Sequence, residues 1–78
     1  MSLSNQKFYA IVKAYDFEVE TKLHEHISSA VDEAIDKVKN ILQREGIKGK
    51  KINALIQVFA MDERTSNLVE NIKARITI

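Results

Sequence analysis

The 78-residue chain has no cysteine, no proline and no tryptophan, and it has only two glycines. Without cysteine it can form no disulfide and can offer neither a thiolate metal ligand nor a cysteine nucleophile. Such a composition is compatible with the cytoplasm, which is the expected location. Charge of one sign is also lacking. Twelve Lys and Arg stand against eleven Asp and Glu, for a net charge of +1, which argues against a protein mainly engaged in neutralising phosphate. Nucleic acid is therefore not the expected partner. No apolar run approaches the ~20 residues of a membrane-spanning helix, and no basic segment followed by an apolar stretch suggests a signal peptide.

What is present is one short domain, 1–78, whose first six residues are expected to be disordered or a cloning remnant. A domain of this size buries roughly 60% of its unfolded surface, so partner subunits are a natural supplement to its core. No repeat, low-complexity tract or composition shift marks a linker, and the chain divides by hydrophobic period instead.

Residues 7–20 are rich in β-branched and aromatic types, including Phe8, Tyr9, Ile11, Val12, Tyr15, Phe17 and Val19, and predict a strand. Its odd positions are apolar almost throughout. The even positions are apolar up to Ala14 and acidic from Asp16 through Glu18 to Glu20. Next, Leu23, Ile27, Ala30, Val31, Ala34, Ile35, Val38, Ile41 and Leu42 fall on one stripe of a helix, with charged residues opposite. Thr21 could cap a long helix and Ser28 or Ser29 a shorter one. Because Leu23 lies on the stripe, a helix over 22–45 is preferred. Gly46 supplies the left-handed residue that ends it. Residues 51–61 alternate as a second strand, 62–67 form a polar hairpin loop, and 68–78 alternate as a third, with Leu68, Ile72, Ala74, Ile76 and Ile78 on one side.

The expected fold is thus α+β: a three-stranded antiparallel sheet in β-α-β-β order with one long amphipathic helix on one face. The crossover helix would leave 51–61 running in the direction of 7–20, with 68–78 between them. The sheet face away from the helix would then be bare. Phe8, Ala10 and Val12, with either Leu55, Phe59 and Met61 or Ile56 and Val58, are expected there. Large exposed apolar patches mark interfaces. Burying about 500 Å² of such surface per subunit is worth about 12 kcal/mol before association costs. A homo-oligomer is therefore expected, with Phe8, Val12, Leu55 and Phe59 as its interface residues.

Catalytic and metal chemistry find little footing. His24-Glu25-His26 is the sole histidine cluster. On a helix its two rings would point about 200° apart; in an extended segment both would lie on one side and could share an ion with Glu18 or Glu20, but exposure near a helix start explains them more simply. Asp16, Glu18 and Glu20 lack the shaped loop that Ca²⁺ or Mg²⁺ needs, and a solvated strand face accounts for them. No serine, histidine and acid arrangement suggests a triad, so neither an enzyme nor a bound cofactor or metal is expected. Lys48-Gly49-Lys50-Lys51 follows the helix, where cations favour its carbonyl end. Its alternative use would be in a small nucleic-acid-binding module, with RNA or DNA phosphate contacted by Lys48, Lys50 and Lys51, aided by Arg44 or by Lys73 and Arg75.

The element order, the segment Ser29-Ala30-Val31-Asp32-Glu33-Ala34-Ile35 and the alternating 68–78 resemble dodecins. Those are small β-α-β-β proteins that assemble into hollow dodecamers and bind flavins. The resemblance implies assembly, and a small flat ligand between subunits as an alternative function. Dodecins stack flavin on a Trp that this chain lacks, so no flavin-binding residue carries over.

Overall fold

A computed structural model describes residues 6–15 and 17–78. The expectation for the first six residues lies outside them except at Gln6, as does the acidic role given to Asp16. The elements are β1 (Lys7–Ala14), β2 (Phe17–Glu20), α1 (Ile27–Arg44), β3 (Lys51–Met61) and β4 (Ser66–Thr77). They build an α+β fold in which one helix packs on a four-stranded antiparallel sheet of order β2-β1-β3-β4.

The fourth strand arises because the expected strand over 7–20 is two. Ala14 pairs with Phe17 and Lys13 with Glu18, so the chain reverses between Ala14 and Phe17. Tyr15 there has φ 52°, a left-handed conformation costly for a bulky residue. A tight hairpin usually announces itself with Gly or Asn, and this one does not. The reversal also shifts the inward phase by one residue. Ala10, Val12 and Ala14 point inward before the turn, and Phe17 and Val19 pack on the same core after it.

Beyond Glu20 the pairing with β1 continues irregularly. Phe8 and His24 exchange two backbone hydrogen bonds of 2.7 Å. Between that bridge and the Ile11–Glu20 pair, residues 21–23 oppose only residues 9 and 10. Such a bulge strands one amide. Thr21, buried, solves this: its Oγ1 accepts from the Ala10 N–H at 2.9 Å and donates to the Lys22 carbonyl at 2.8 Å. The helix therefore starts at Ile27, later than expected, with His26 in extended conformation before it. Thr21 and Leu23 belong to the strap, and Leu23 is 51% exposed.

The far end of α1 matches expectation. Gly46, at φ 86°, follows Glu45. The Gly46 N–H donates to Gln43 and the Ile47 N–H to Leu42, both at 3.0 Å, which closes the helix with two backbone bonds. Ala30, Ala34, Val38 and Leu42 form the buried stripe. They meet the inward side chains of the sheet, Ala10, Val12 and Ala14 from β1 and Ile52, Ala54, Ile56 and Val58 from β3. Alanine on both sides lets helix and sheet approach closely.

Because β1 and β2 form a hairpin, α1 departs from the opposite end to the one expected, and β3 returns antiparallel to β1. Strand β3, not β4, therefore lies at the centre. One residue of β4 also changes sides. A bulge opposite Val58 and Phe59 leaves Val69 unpaired and sets Leu68 against Phe59. Leu68 thus shares the open face, while Ile72, Ala74 and Ile76 pack on the core.

Two substitutions test this architecture by denaturant midpoint. Ile56→Ala, at a fully buried centre-strand position, lowers stability by about 2–5 kcal/mol. Tyr15→Asn places a residue that tolerates φ above zero at an exposed turn and raises stability by up to about 1 kcal/mol.

Candidate interaction surface

The two faces of the sheet differ because one helix covers only one of them. Strand periodicity sends even-numbered positions of β1 and β3 towards α1 and odd-numbered ones away. Phe8 and Val12 therefore lie beneath the helix. Val12 is fully buried and Phe8 packs against the core. Their expected place on the bare face is corrected, as is that of Ala10, and Ile56 and Val58 are core residues. Leu55 and Phe59 do stand on the open face. The neighbours that the wrong phase of β1 concealed are Tyr9 and Ile11. Their odd-position alternation is visible in the sequence once the strand is cut at residue 15.

The open face has a definite pattern. Tyr9 and Phe59 are cross-strand partners, and their rings stack with centroids 5.2 Å apart and planes 13° from parallel. The Tyr9 hydroxyl shares a 2.7 Å hydrogen bond with Ser66 Oγ, which fixes the ring from β4. Around this pair stand half-buried Ile11 and Leu55, with Leu68 46% and Met61 39% exposed at the border. Gln57 and Asn71 link β3 to β4 by a 3.2 Å side-chain bond. At the other end of the face a hollow of about 730 Å³ is lined by Lys13, Tyr15, Asn53, Leu55, Lys73 and Arg75 among others.

The helix side carries a separate groove of about 830 Å³ between β2 and the end of α1, floored by Phe17, Val19, Ile41, Leu42 and Ile47. Its charged lining is Glu18 and Glu45.

The three loop lysines are exposed but do not converge. Lys48 borders a shallow surface with Asn40, Gln43 and Arg44. Lys51 opens β3 opposite Thr77. Gly49, at φ 70°, donates its N–H to the Ile78 carbonyl at 2.7 Å, and the Lys50 carbonyl accepts from the Ile78 N–H at 2.9 Å. The loop is thereby stapled to the end of β4.

The histidine segment lies before the helix, with His26 extended, and of its two rings His24 pairs with an acid. His24 Nε2 lies 2.6 Å from Glu33 Oε1, which also accepts the Lys22 N–H at 3.1 Å. Lys37 Nζ approaches the other carboxylate oxygen at 3.4 Å, and Lys7 pairs with Glu25 at 3.3 Å. Among the described residues no three His, Asp or Glu side chains are grouped to hold a metal ion. The Glu33 carboxyl is held below its ordinary range, first by the His24 hydrogen bond, then by the Lys22 amide and Lys37, against an opposing effect of burial. This cluster ties the strap to the helix.

Comparison with protein-family models, curated proteins and solved structures finds no match for this chain.

A carboxylate whose folded-state pKa is depressed stabilises the fold above its unfolded pKa, and this contribution fades as pH falls through the depressed value. Glu33→Gln accordingly unfolds at lower temperature than the parent at neutral pH, by less than about 1 kcal/mol for so partly exposed a cluster. The difference closes in acid, where the parent's Glu33 is itself protonated. Thermal melts at several pH values measure it.

Proposed function

We propose that this chain is a non-catalytic structural or binding module that self-associates through the open face of its sheet. The observation that carries this reading is the apolar group Tyr9, Ile11, Leu55 and Phe59 at the centre of that face, half-buried without a covering layer, with Leu68 and Met61 exposed beside it. A second sheet packed face to face would bury such a group in a layer about 10 Å thick. A symmetric copy provides the matching apolar surface without any other partner.

A chain of this size has reason to use such a contact. The largest fully buried side chains are Leu42, Ile56, Val12, Val38 and Val58, and no aromatic side chain is among them. The intramolecular core is thin, so covering the aromatic pair adds a large increment to a stability that is typically only 5–15 kcal/mol.

A second reading is a flat ligand held between two copies, as the dodecin resemblance implies. It draws support from the Tyr9–Phe59 stack, since a planar ring stacks on such a pair. Titration into free flavin tests it, with quenched flavin fluorescence expected and unchanged fluorescence counting against it.

Self-association itself is tested by sedimentation. The parent chain is expected to sediment above monomer mass. Phe59→Asp, which puts a charge against the apolar centre of the copy, lowers the mass to monomer while the circular dichroism spectrum stays unchanged. A parent that is monomeric at all accessible concentrations, or an oligomer indifferent to Phe59→Asp, would overturn the reading.

A further inference from the structure

We propose that the second copy on the open face is related to the first by a two-fold axis running along the strands between β1 and β3, so that the acidic rim of each copy meets the basic rim of the other. This rests on the reading of that face as the self-association surface.

The registers fix which side chains share a row. Glu18 is opposite Lys13, Lys13 is opposite Leu55, and Leu55 is opposite Lys73. These four therefore cross the open face in one line. The next row is Glu20, Ile11, Gln57 and Asn71, and the one after it Tyr9, Phe59 and Leu68. One outer strand, β2, thus presents Glu18 and Glu20. The other, β4, presents Lys73 and, beyond it, Arg75 opposite Asn53. All four are exposed, and none belongs to an ion pair among the described residues. With strands about 4.8 Å apart, Glu18 and Lys73 are separated by about 14 Å and cannot meet within one chain.

Two in-plane axes can lay the face of one copy on that of another with strands aligned. An axis across the strands sets β2 over β2 and β4 over β4. Carboxylates then face carboxylates and cations face cations, a juxtaposition that disfavours the complex. An axis along the strands keeps each row and reverses its order. Glu18 then faces Lys73 of the second copy, Lys13 faces Leu55, Ile11 faces Gln57, and Tyr9 faces Phe59. The aromatic pairs of the two copies meet near the axis, and Glu18, Glu20, Lys73 and Arg75 lie at the wet rim, as in specific interfaces. A crossing angle of about 30°, usual for aligned sheets, displaces the rims by only about 4 Å, within the reach of a lysine side chain.

The absence of cysteine makes the test direct. Glu18→Cys and Lys73→Cys each introduce a single thiol at an exposed position. Each protein is treated alone, and then as an equal mixture, with a bifunctional thiol reagent spanning about the 10 Å between packed sheets. Sedimentation is run in parallel. The expected result is a covalent dimer in the mixture and little in either protein alone. A covalent dimer from Glu18→Cys alone would overturn the proposal in favour of the crosswise axis. Oligomers by sedimentation with no cross-link in the mixture would overturn the axis and leave self-association standing. Monomers throughout would remove both.

Discussion

The reversal between Ala14 and Phe17 is the constraint on which the rest of the structure depends. Pairing Ala14 with Phe17 turns one amphipathic stretch into two strands of opposite direction. From that follow the end of the sheet at which α1 begins, the antiparallel fit of β3 against β1, and the central position of β3. The same one-residue change of phase carries Phe17 and Val19 under the helix and turns Glu18 and Glu20 to the open face. A strand continuing straight through would have put the carboxylates on the helix side, where burying them unpaired is prohibitive. The turn conformation of Tyr15 is thus held by the demand of everything on either side of it, as strained backbone must be.

What the helix then covers is limited by its own composition. Ala30 and Ala34 face a sheet bearing Ala10, Ala14 and Ala54, so the layers sit close but bury little area per residue. The molecule is also elongated, 49 × 16 × 16 Å. An 18-residue helix is only about 27 Å long at 1.5 Å per residue, so one end of the β3–β4 hairpin outruns it. Residues 61–71 are all exposed. Several large apolar side chains, Tyr9, Phe59, Met61 and Leu68, are found where the helix does not reach or on the face it does not cover, while Phe8 and Phe17 pack on the core. A small inner core and a larger unshielded group outside it belong to the same allocation of side chains.

Much of this was legible in the residues. The helix stripe from Ala30 to Leu42, the glycine that ends it and the strand over 51–61 all follow from period and local backbone chemistry, and the α+β class with a helix on one face follows from them. What was hidden has identifiable physical causes. The hairpin at Tyr15 lacks the glycine or asparagine that marks a left-handed turn, so alternation on both sides of it read as a single strand. The later helix start was concealed because Leu23 happens to continue the helical stripe while Thr21 serves a bulge. The bulge at Val69, equally without a glycine, turned Leu68 to the other side. The hairpin and the bulge are each a one-residue change of phase, and in a strand one residue is the whole difference between the two faces. For this reason Tyr9 and Ile11 stand beside Leu55 and Phe59 on the open face, where a single strand over 7–20 places Phe8 and Val12. The rim charges needed the registers of all three strand pairs before they could be seen as one row.

A sheet with two free edges could also associate edge to edge, and the competition between edge and face bears on the proposed assembly. Strand β2 offers an outer edge of only four residues, too short to template a long ladder. The outer strand at the other side is longer, but the bulge at Val69 interrupts its regular spacing, and Glu70, Lys73 and Arg75 alternate along it. Short edges, bulges and charges are the devices by which sheets discourage edge pairing. An antiparallel pairing of two β4 strands centred on Lys73 would oppose like charges, and one centred on Ala74 would oppose Lys73 to Arg75, so several registers are blocked at once. The face has no comparable obstruction. Its centre around Tyr9 and Phe59 is aromatic and aliphatic, Lys13 is the charge on β1 beside Leu55, and the outer strands carry rim charges of opposite sign. The same charged residues that discourage one mode of association therefore favour the other.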